Sequence, residues 1–122
     1  MLGLRTTIYK VSDLDKAKKW YAEAFGKKPY FDEPFYVGFN IGGYELGLLP
    51  EEEANEDKKS DSVLSYWGIE HINAEYQKLL DLGATEHEKP TNVGGEIVVA
   101  SVKCPWNNII GIIYNPEFKI ED

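Results

Sequence analysis

Apolar and polar positions near the N-terminus first follow a strand pattern and then a helical one. The run Leu4 to Val11 is rich in β-branched and aromatic residues, which favours a strand. Ser12 to Asp15 then supplies a helix N-cap, and apolar residues follow at helical spacing as far as Gly26, a typical residue at a helix end. The pattern predicts a strand and then a helix from about Asp13 to Phe25.

Short β-like runs follow around Lys28–Phe31 and Phe35–Ile41, and they lead into a glycine-rich apolar strand. Alternation in that strand places Gly43, Glu45, Gly47 and Leu49 on one face and Tyr44, Leu46 and Leu48 on the other. Glycine inside a strand usually marks a close approach to the backbone. We therefore expect room for a ligand or a metal beside the Glu45 carboxylate.

The second half of the chain repeats this order of elements. Its predicted elements are a strand over Val63–Ile69, a helix carrying Ile72, Tyr76, Leu79 and Leu80 and ending at Gly83, and strands over Glu96–Val102 and Ile109–Tyr114. Residues 51–62 between the halves are charged and poor in apolar side chains, which predicts an exposed linker. The repeat predicts a single domain, 1–122, of two modules, residues 1–50 and 63–122.

Charge and composition exclude several classes of partner. The chain has 13 basic and 21 acidic side chains and a formal net charge of −8, without the clustered cations that bind phosphate backbones, so we expect no nucleic-acid partner. We expect no membrane partner and a cytoplasmic protein, because no membrane-length apolar run and no signal-peptide pattern occur. Cys104 is the only cysteine, so neither an intrachain disulfide nor a thiolate zinc site is expected.

The order and spacing of the motifs resemble the vicinal oxygen chelate superfamily, which contains glyoxalase I, bleomycin-resistance proteins and extradiol dioxygenases. The resemblance is carried by Val11–Leu14 with the helix end Trp20–Gly26, by Gly43–Leu46, by Glu75–Ala84 and by the hairpin Val102–Tyr114. It implies an α+β fold of two tandem βαβββ modules. Their mixed sheets curl into a cup with the helices outside, and the chain is expected to form a homodimer.

In the metalloenzymes of that superfamily, four strand positions of the cup hold a divalent metal. By resemblance these positions fall on Thr6, Glu45, Leu64 and Gly111. Only Glu45 offers a charged oxygen, whereas a catalytic zinc normally takes three protein ligands. The resemblance therefore implies a member of the superfamily without the metal site, and we expect no cofactor. His71, at the start of the second helix, and His87, just after it, are expected to be exposed and not to act as ligands.

The cup still predicts a pocket for a small molecule. The candidate ligand-binding residues are Thr6, Phe35, Glu45, Tyr66, Trp67 and Trp106, with Phe31, Tyr36 and Phe39 on or near the same strands. A carboxylate walled by aromatic rings suits a cation. Trp106, at a hairpin tip, is expected either to pack on a partner subunit or to lie across the ligand mouth.

Three functions are compatible with these residues. The first is a metal-free binding protein that holds a small cationic or aromatic molecule in the cup. The second is a metal-independent lyase or isomerase in which Glu45 is the catalytic general base. The third is a metal-dependent glyoxalase or dioxygenase with non-standard ligands. The sequence leaves open whether the protein is an enzyme, because function follows from the site and not from the fold.

Overall fold

The computed structural model describes residues 1–51, 59–60 and 62–120. The chain divides into two compact units, Met1–Lys59 and Ser60–Asp122, and each contains one helix and a mixed four-stranded sheet that does not close. The α+β fold with two βαβββ modules is therefore confirmed. Most of the predicted linker, 51–62, lies outside the described residues. Of the helices that the structure describes, none is long and apolar enough to span a membrane.

The first unit places its helix on one face of its sheet. Its elements are β1 (Thr6–Val11), α1 (Leu14–Phe25), β2 (Phe31–Glu33), β3 (Tyr36–Ile41) and β4 (Tyr44–Pro50). The strand order is β1-β4-β3-β2, with β1 parallel to β4 and the other pairs antiparallel. The predicted N-cap lies at Asp13, which accepts a hydrogen bond from Lys16 N at 3.1 Å, and Gly26 ends the helix in the left-handed conformation with φ 66°.

The helix leaves one face of this sheet uncovered. Tyr21 of α1 is fully buried and stacks on Tyr9 of β1 with ring centroids 5.6 Å apart. The other core side chains of this layer are Val11, Val37, Phe39, Leu46 and Leu48. Because successive strand residues point to opposite faces, the alternate residues form a second face, which we call the open face. The predicted alternation in β4, with Leu46 and Leu48 inward, is confirmed.

The second unit repeats the arrangement with β5 (Tyr66–Gly68), α2 (Ile72–Asp81), β6 (Thr85–Gly94), β7 (Ile97–Lys103) and β8 (Ile109–Tyr114). The strand order is β5-β8-β7-β6, and β5 is parallel to β8. His71 is the N-cap residue of α2, as its place in the sequence suggested, but its side chain makes no capping hydrogen bond. Burial, together with the nearby Glu86 carboxylate, raises the pKa of Tyr76 in this helix to about 12.

Two elements of the second unit differ from the sequence prediction. The long strand β6 was not predicted from its own residues, because it is rich in charged side chains, almost entirely exposed and interrupted by register shifts. A strand of this kind shows no hydrophobic alternation. The strand predicted from Val63 begins only at Tyr66, where parallel pairing with β8 starts.

Candidate functional site

Strand pairing gathers the candidate residues of the first unit on its open face. Thr6 of β1 lies opposite Glu45 of β4, and Ile8 lies opposite Gly47. Gly47 in turn pairs with Gly38 of β3, which pairs with Phe31 of β2. Thr6 and Ile8 are exposed, and the Glu45 side chain is half-buried. The open face therefore presents one carboxylate above two glycines, with apolar side chains on both sides.

The Glu45 carboxylate is held by a tyrosine. Tyr36 Oη donates a hydrogen bond to Glu45 Oε2 at 2.6 Å. Burial raises the pKa of Tyr36 above its usual value of 10.0, so the phenol stays protonated and acts as the donor at neutral pH. Within the described part of the chain, Oε1 of Glu45 accepts no hydrogen bond. One oxygen is thus fixed and the other is available to a ligand.

The glycines beside Glu45 have different roles from the one expected. The space above Gly47 is filled, because a Cβ there would stand 2.6 Å from Cζ of Tyr36. Gly43 lies in the β3–β4 turn with φ 94°, where it serves the left-handed backbone. The expectation of room beside the acid is therefore wrong at Gly47, whereas a Cβ at Gly43 would meet nothing within 4 Å. Gly47 instead makes room for the tyrosine that orients the carboxylate.

Tyr36 and Tyr30 lie beside the carboxylate, and Phe31 and Phe35 extend this aromatic patch. The ring of Tyr30 lies close above Gly38, where Glu45 Oε1 also lies. Phe31 is 6.0 Å from Phe35 and 6.1 Å from Tyr36 between ring centroids. Tyr30 and Phe35 are 63% and 64% exposed. Sequence reasoning missed Tyr30 because it precedes β2 and its contact with Gly38 depends on the loop before that strand.

Three of the other aromatic candidates do not lie on an open face. Phe39 is fully buried in the layer under α1. Trp67 pairs with Ile112, and its side chain therefore lies on the helix side of the second sheet. Trp106 is only 9% exposed; that it packs on a partner subunit or lies across a ligand mouth stays a prediction. The turn between β7 and β8 is closed by a hydrogen bond from Asn107 N to Cys104 O, and Asn107 has a left-handed conformation with φ 61°. The Trp106 ring is already covered in a single chain.

Gly111 of the second unit also lies beneath a tyrosine. It pairs with Tyr66 of β5 and with Ser101 of β7. A Cβ at Gly111 would stand 2.6 Å from the carbonyl oxygen of Ser65 and 2.8 Å from Cδ1 of Tyr66. Any side chain at this position would therefore collide with the backbone of the neighbouring strand.

The strand registers show that the counterpart of Glu45 in the second unit is not Gly111, where the resemblance had placed it. Ile8 pairs with Gly47 as Tyr66 pairs with Gly111, so Gly111 corresponds to Gly47. Two residues earlier on the last strand, the counterpart of Glu45 is Ile109. Neither Ile109 nor Gly111 has a ligand atom in its side chain.

The residues at the superfamily's metal positions do not fit a divalent metal. Leu64 and Ile109 are apolar, and Thr6 offers only a hydroxyl. Glu45 already accepts a hydrogen bond from Tyr36 through one of its two oxygens. In residues 1–51, 59–60 and 62–120 there is no group of three or more histidine, cysteine or acidic side chains that could hold a metal ion. The donor set falls short of the three protein ligands of a catalytic zinc.

His87 lies just after α2 and is exposed, as expected, and it belongs to strand β6, which the sequence analysis did not predict. The pairing shifts between Glu86 and Glu88, so His87 occupies an irregularity in the strand. Its Nδ1 lies 2.7 Å from Oγ of Ser101, a fully buried residue. A polar side chain thus reaches the face of the second sheet that carries Gly111.

Two βαβββ units, each with a helix on one face of a mixed sheet, define the class of protein. The family model described as Glyoxalase/Bleomycin resistance protein/Dioxygenase superfamily matches residues 3–112. The chain belongs to this superfamily, and the resemblance seen in the sequence is confirmed. No curated protein matches the chain.

Solved structures share the fold at low sequence identity. A glyoxalase-related enzyme from Fulvimarina pelagi is 18% identical with a TM-score of 0.78, over 99% of this chain and 94% of that one. A glyoxalase/bleomycin resistance protein/dioxygenase family enzyme from Burkholderia phytofirmans PsJN is 15% identical with a TM-score of 0.74, over 89% and 95%. The fosfomycin resistance protein FosX from Mesorhizobium loti is 14% identical with a TM-score of 0.73, over 96% and 95%. At these identities the likeness concerns the fold alone.

Proposed function

We propose that the chain binds a small protonated amine with an aromatic or apolar body on the open face of the first unit, without a metal. The observation that carries this proposal is the Glu45 carboxylate, which Tyr36 fixes through one oxygen at 2.6 Å. The other oxygen lies above Gly38 next to the Tyr30 ring. An ammonium group placed there would meet a charge and an aromatic ring together.

Exposed aromatic area beside an acid supports an organic cation over a bare one. Tyr30 and Phe35 expose more than half of their surface, and Phe31 joins Phe35 to the Tyr36 ring. Exposed apolar patches of this kind mark binding surfaces, and aromatic faces attract ammonium groups within about 6 Å. A ligand with an apolar body would cover the rings while its charge meets Glu45.

The alternative proposal is a metal-independent lyase or isomerase. A carboxylate and a phenol proton at 2.6 Å form an acid and base pair that a proton transfer could use, with Glu45 as the general base. We prefer binding because the Tyr36 hydrogen bond occupies Oε2, and among residues 1–51 and 59 no other titratable side chain is hydrogen-bonded to the carboxylate. Turnover of a bound amine would favour the alternative.

A series of ligands that differ only in charge tests the proposal. We expect chelator-treated protein to bind 2-phenylethylammonium more tightly than 2-phenylethanol, and phenylacetate least, because only the first ligand pairs with Glu45. The affinities are measured by NMR titration, and repeated with added zinc or nickel as the control. Equal affinities for the three ligands, or amine binding that requires the metal, would contradict the proposal.

We propose that the protein is a homodimer in the cytoplasm. The motivation is the exposed apolar side chain of Ile8 on β1, the edge of the open face opposite β2, which a second copy would cover while Phe31 and Phe35 are left to the ligand. Light scattering at micromolar concentration is expected to give twice the mass of the 13.9 kDa chain. A monomer under those conditions would show that the open face is not shared between copies. The cytoplasmic location stays a prediction.

A further inference from the structure

We propose that His87 and Tyr66 form a second small-molecule site, on the second unit, for a neutral carbonyl compound with an aromatic body. Ser101 holds the His87 imidazole so that its Nε2–H donates a hydrogen bond to the carbonyl oxygen. The site shares no residue with the amine site proposed for the first unit. It depends on the hydrogen bond of 2.7 Å between His87 Nδ1 and Ser101 Oγ.

The irregularity in β6 brings His87 onto this face. Glu86 pairs with Val102 and Glu88 pairs with Ser101, so His87 has no partner of its own on β7. Strand irregularities of this type redirect a side chain. Here the redirected ring reaches the hydroxyl of Ser101, which is 0% exposed.

Burial of Ser101 sets the direction of the hydrogen bond. Among the residues that the structure describes, His87 is the hydrogen-bond partner of the Ser101 hydroxyl. If the imidazole donated, the serine proton would be buried without an acceptor, which is unfavourable. Ser101 therefore donates to Nδ1. In a neutral imidazole whose Nδ1 accepts, Nε2 carries the proton.

The Nε2 proton of His87 is accessible to a ligand from solvent. The two ring nitrogens of an imidazole point in roughly opposite directions, and Nδ1 of His87 points at a buried atom. Nε2 accordingly points to the exposed side of the ring, where it meets no hydrogen-bond partner within the described ranges. A donor fixed in this way is suited to a carbonyl oxygen.

Tyr66 supplies the apolar wall of the site. Its ring lies over Gly111 and is 40% exposed, and Gly111 pairs directly with Ser101. Tyr66 and His87 belong to the two edge strands, β5 and β6, but the tyrosine ring lies over β8 and the imidazole reaches Ser101 of β7. These two inner strands are neighbours, and paired strands are about 4.8 Å apart. By register, Glu88 and Lys103 share that face. Their opposite charges favour a neutral ligand over an ion.

Benzamide is a probe with the required chemistry. We expect it to bind the full chain, with chemical-shift changes at His87 and Tyr66 in NMR spectra. His87→Phe keeps a ring and removes the donor, and Ser101→Ala releases the ring. Each is expected to weaken binding about fivefold, the effect of one hydrogen bond. Glu23→Gln is the matched control and should leave benzamide binding unchanged, because Glu23 is exposed on α1 and belongs to neither proposed site.

Chemical reactivity of the two histidines tests the role of Ser101 separately. Diethyl pyrocarbonate attacks a free ring lone pair, and in His87 that lone pair accepts from Ser101. His71 is exposed and makes no capping hydrogen bond, so it is the internal reference. Mass spectrometry should show His87 reacting about fivefold more slowly than His71, and at a similar rate in Ser101→Ala. Equal rates in the parent protein, or benzamide binding unchanged by His87→Phe, would overturn the proposal.

Discussion

Gly47→Ala is expected to lower the free energy of unfolding by about 2–4 kcal/mol, the combined effect of overpacking and a lost hydrogen bond. A Cβ at this position would stand 2.6 Å from Cζ of Tyr36, so the tyrosine must leave its place. Its hydrogen bond to Glu45 would be lost with it. Urea unfolding followed by circular dichroism measures the change.

The double variant Tyr36→Leu/Gly47→Ala distinguishes this cause from a general intolerance of side chains in the sheet. Compared with Tyr36→Leu alone, adding Gly47→Ala should cost less than about 1 kcal/mol, because the clashing ring is gone. Gly68→Ala in β5 is the matched control, since a Cβ there would meet nothing within 4 Å. A full loss of stability in the double variant would show that Gly47 is needed for another reason.

Sequence patterns predicted most of the fold because its core follows simple periodicities. The apolar positions Leu46 and Leu48 alternate along β4, and Ala17, Tyr21 and Ala24 recur on α1 at helical spacing. The cap residues Asp13 and Gly26 marked the ends of α1 within one residue. These signals are local, and burial of one face reinforces each of them.

The strand β6 illustrates what periodicity misses. Its residues include Glu86, His87, Glu88 and Lys89, and they are exposed on both sides. The strand forms because β7 offers it hydrogen bonds, which no local pattern reports. Because β6 was not predicted, the contact between His87 and Ser101 could not be predicted either.

The site was predicted in part. Glu45 was singled out from its alternation in β4, and Phe31 and Phe35 from their place on or near neighbouring strands. Phe31 lies on β2, and Phe35 lies in the turn between β2 and β3. The Tyr36 hydrogen bond was missed because it depends on a diagonal contact across Gly47. The burial of Trp106 was not predicted, because a turn position alone does not show how far a ring is covered.

Glu45→Gln is expected to weaken the binding of 2-phenylethylammonium by about 10- to 100-fold, which corresponds to the loss of one charge-assisted hydrogen bond. Glutamine keeps the shape of the side chain and removes its charge, so the aromatic contacts with the ligand are retained. Glu23→Gln on the exposed side of α1 makes the same change in net charge away from the open face. It should leave the affinity within about twofold of the parent, as expected for a screened surface charge.

Calorimetric titration of 2-phenylethylammonium into chelator-treated parent, Glu45→Gln and Glu23→Gln protein tests the central claim, that Glu45 recognises an amine without a metal. The parent and Glu23→Gln should bind alike, and Glu45→Gln should bind at least tenfold more weakly. Equal affinity in all three proteins would contradict the claim and remove Glu45 from the binding site.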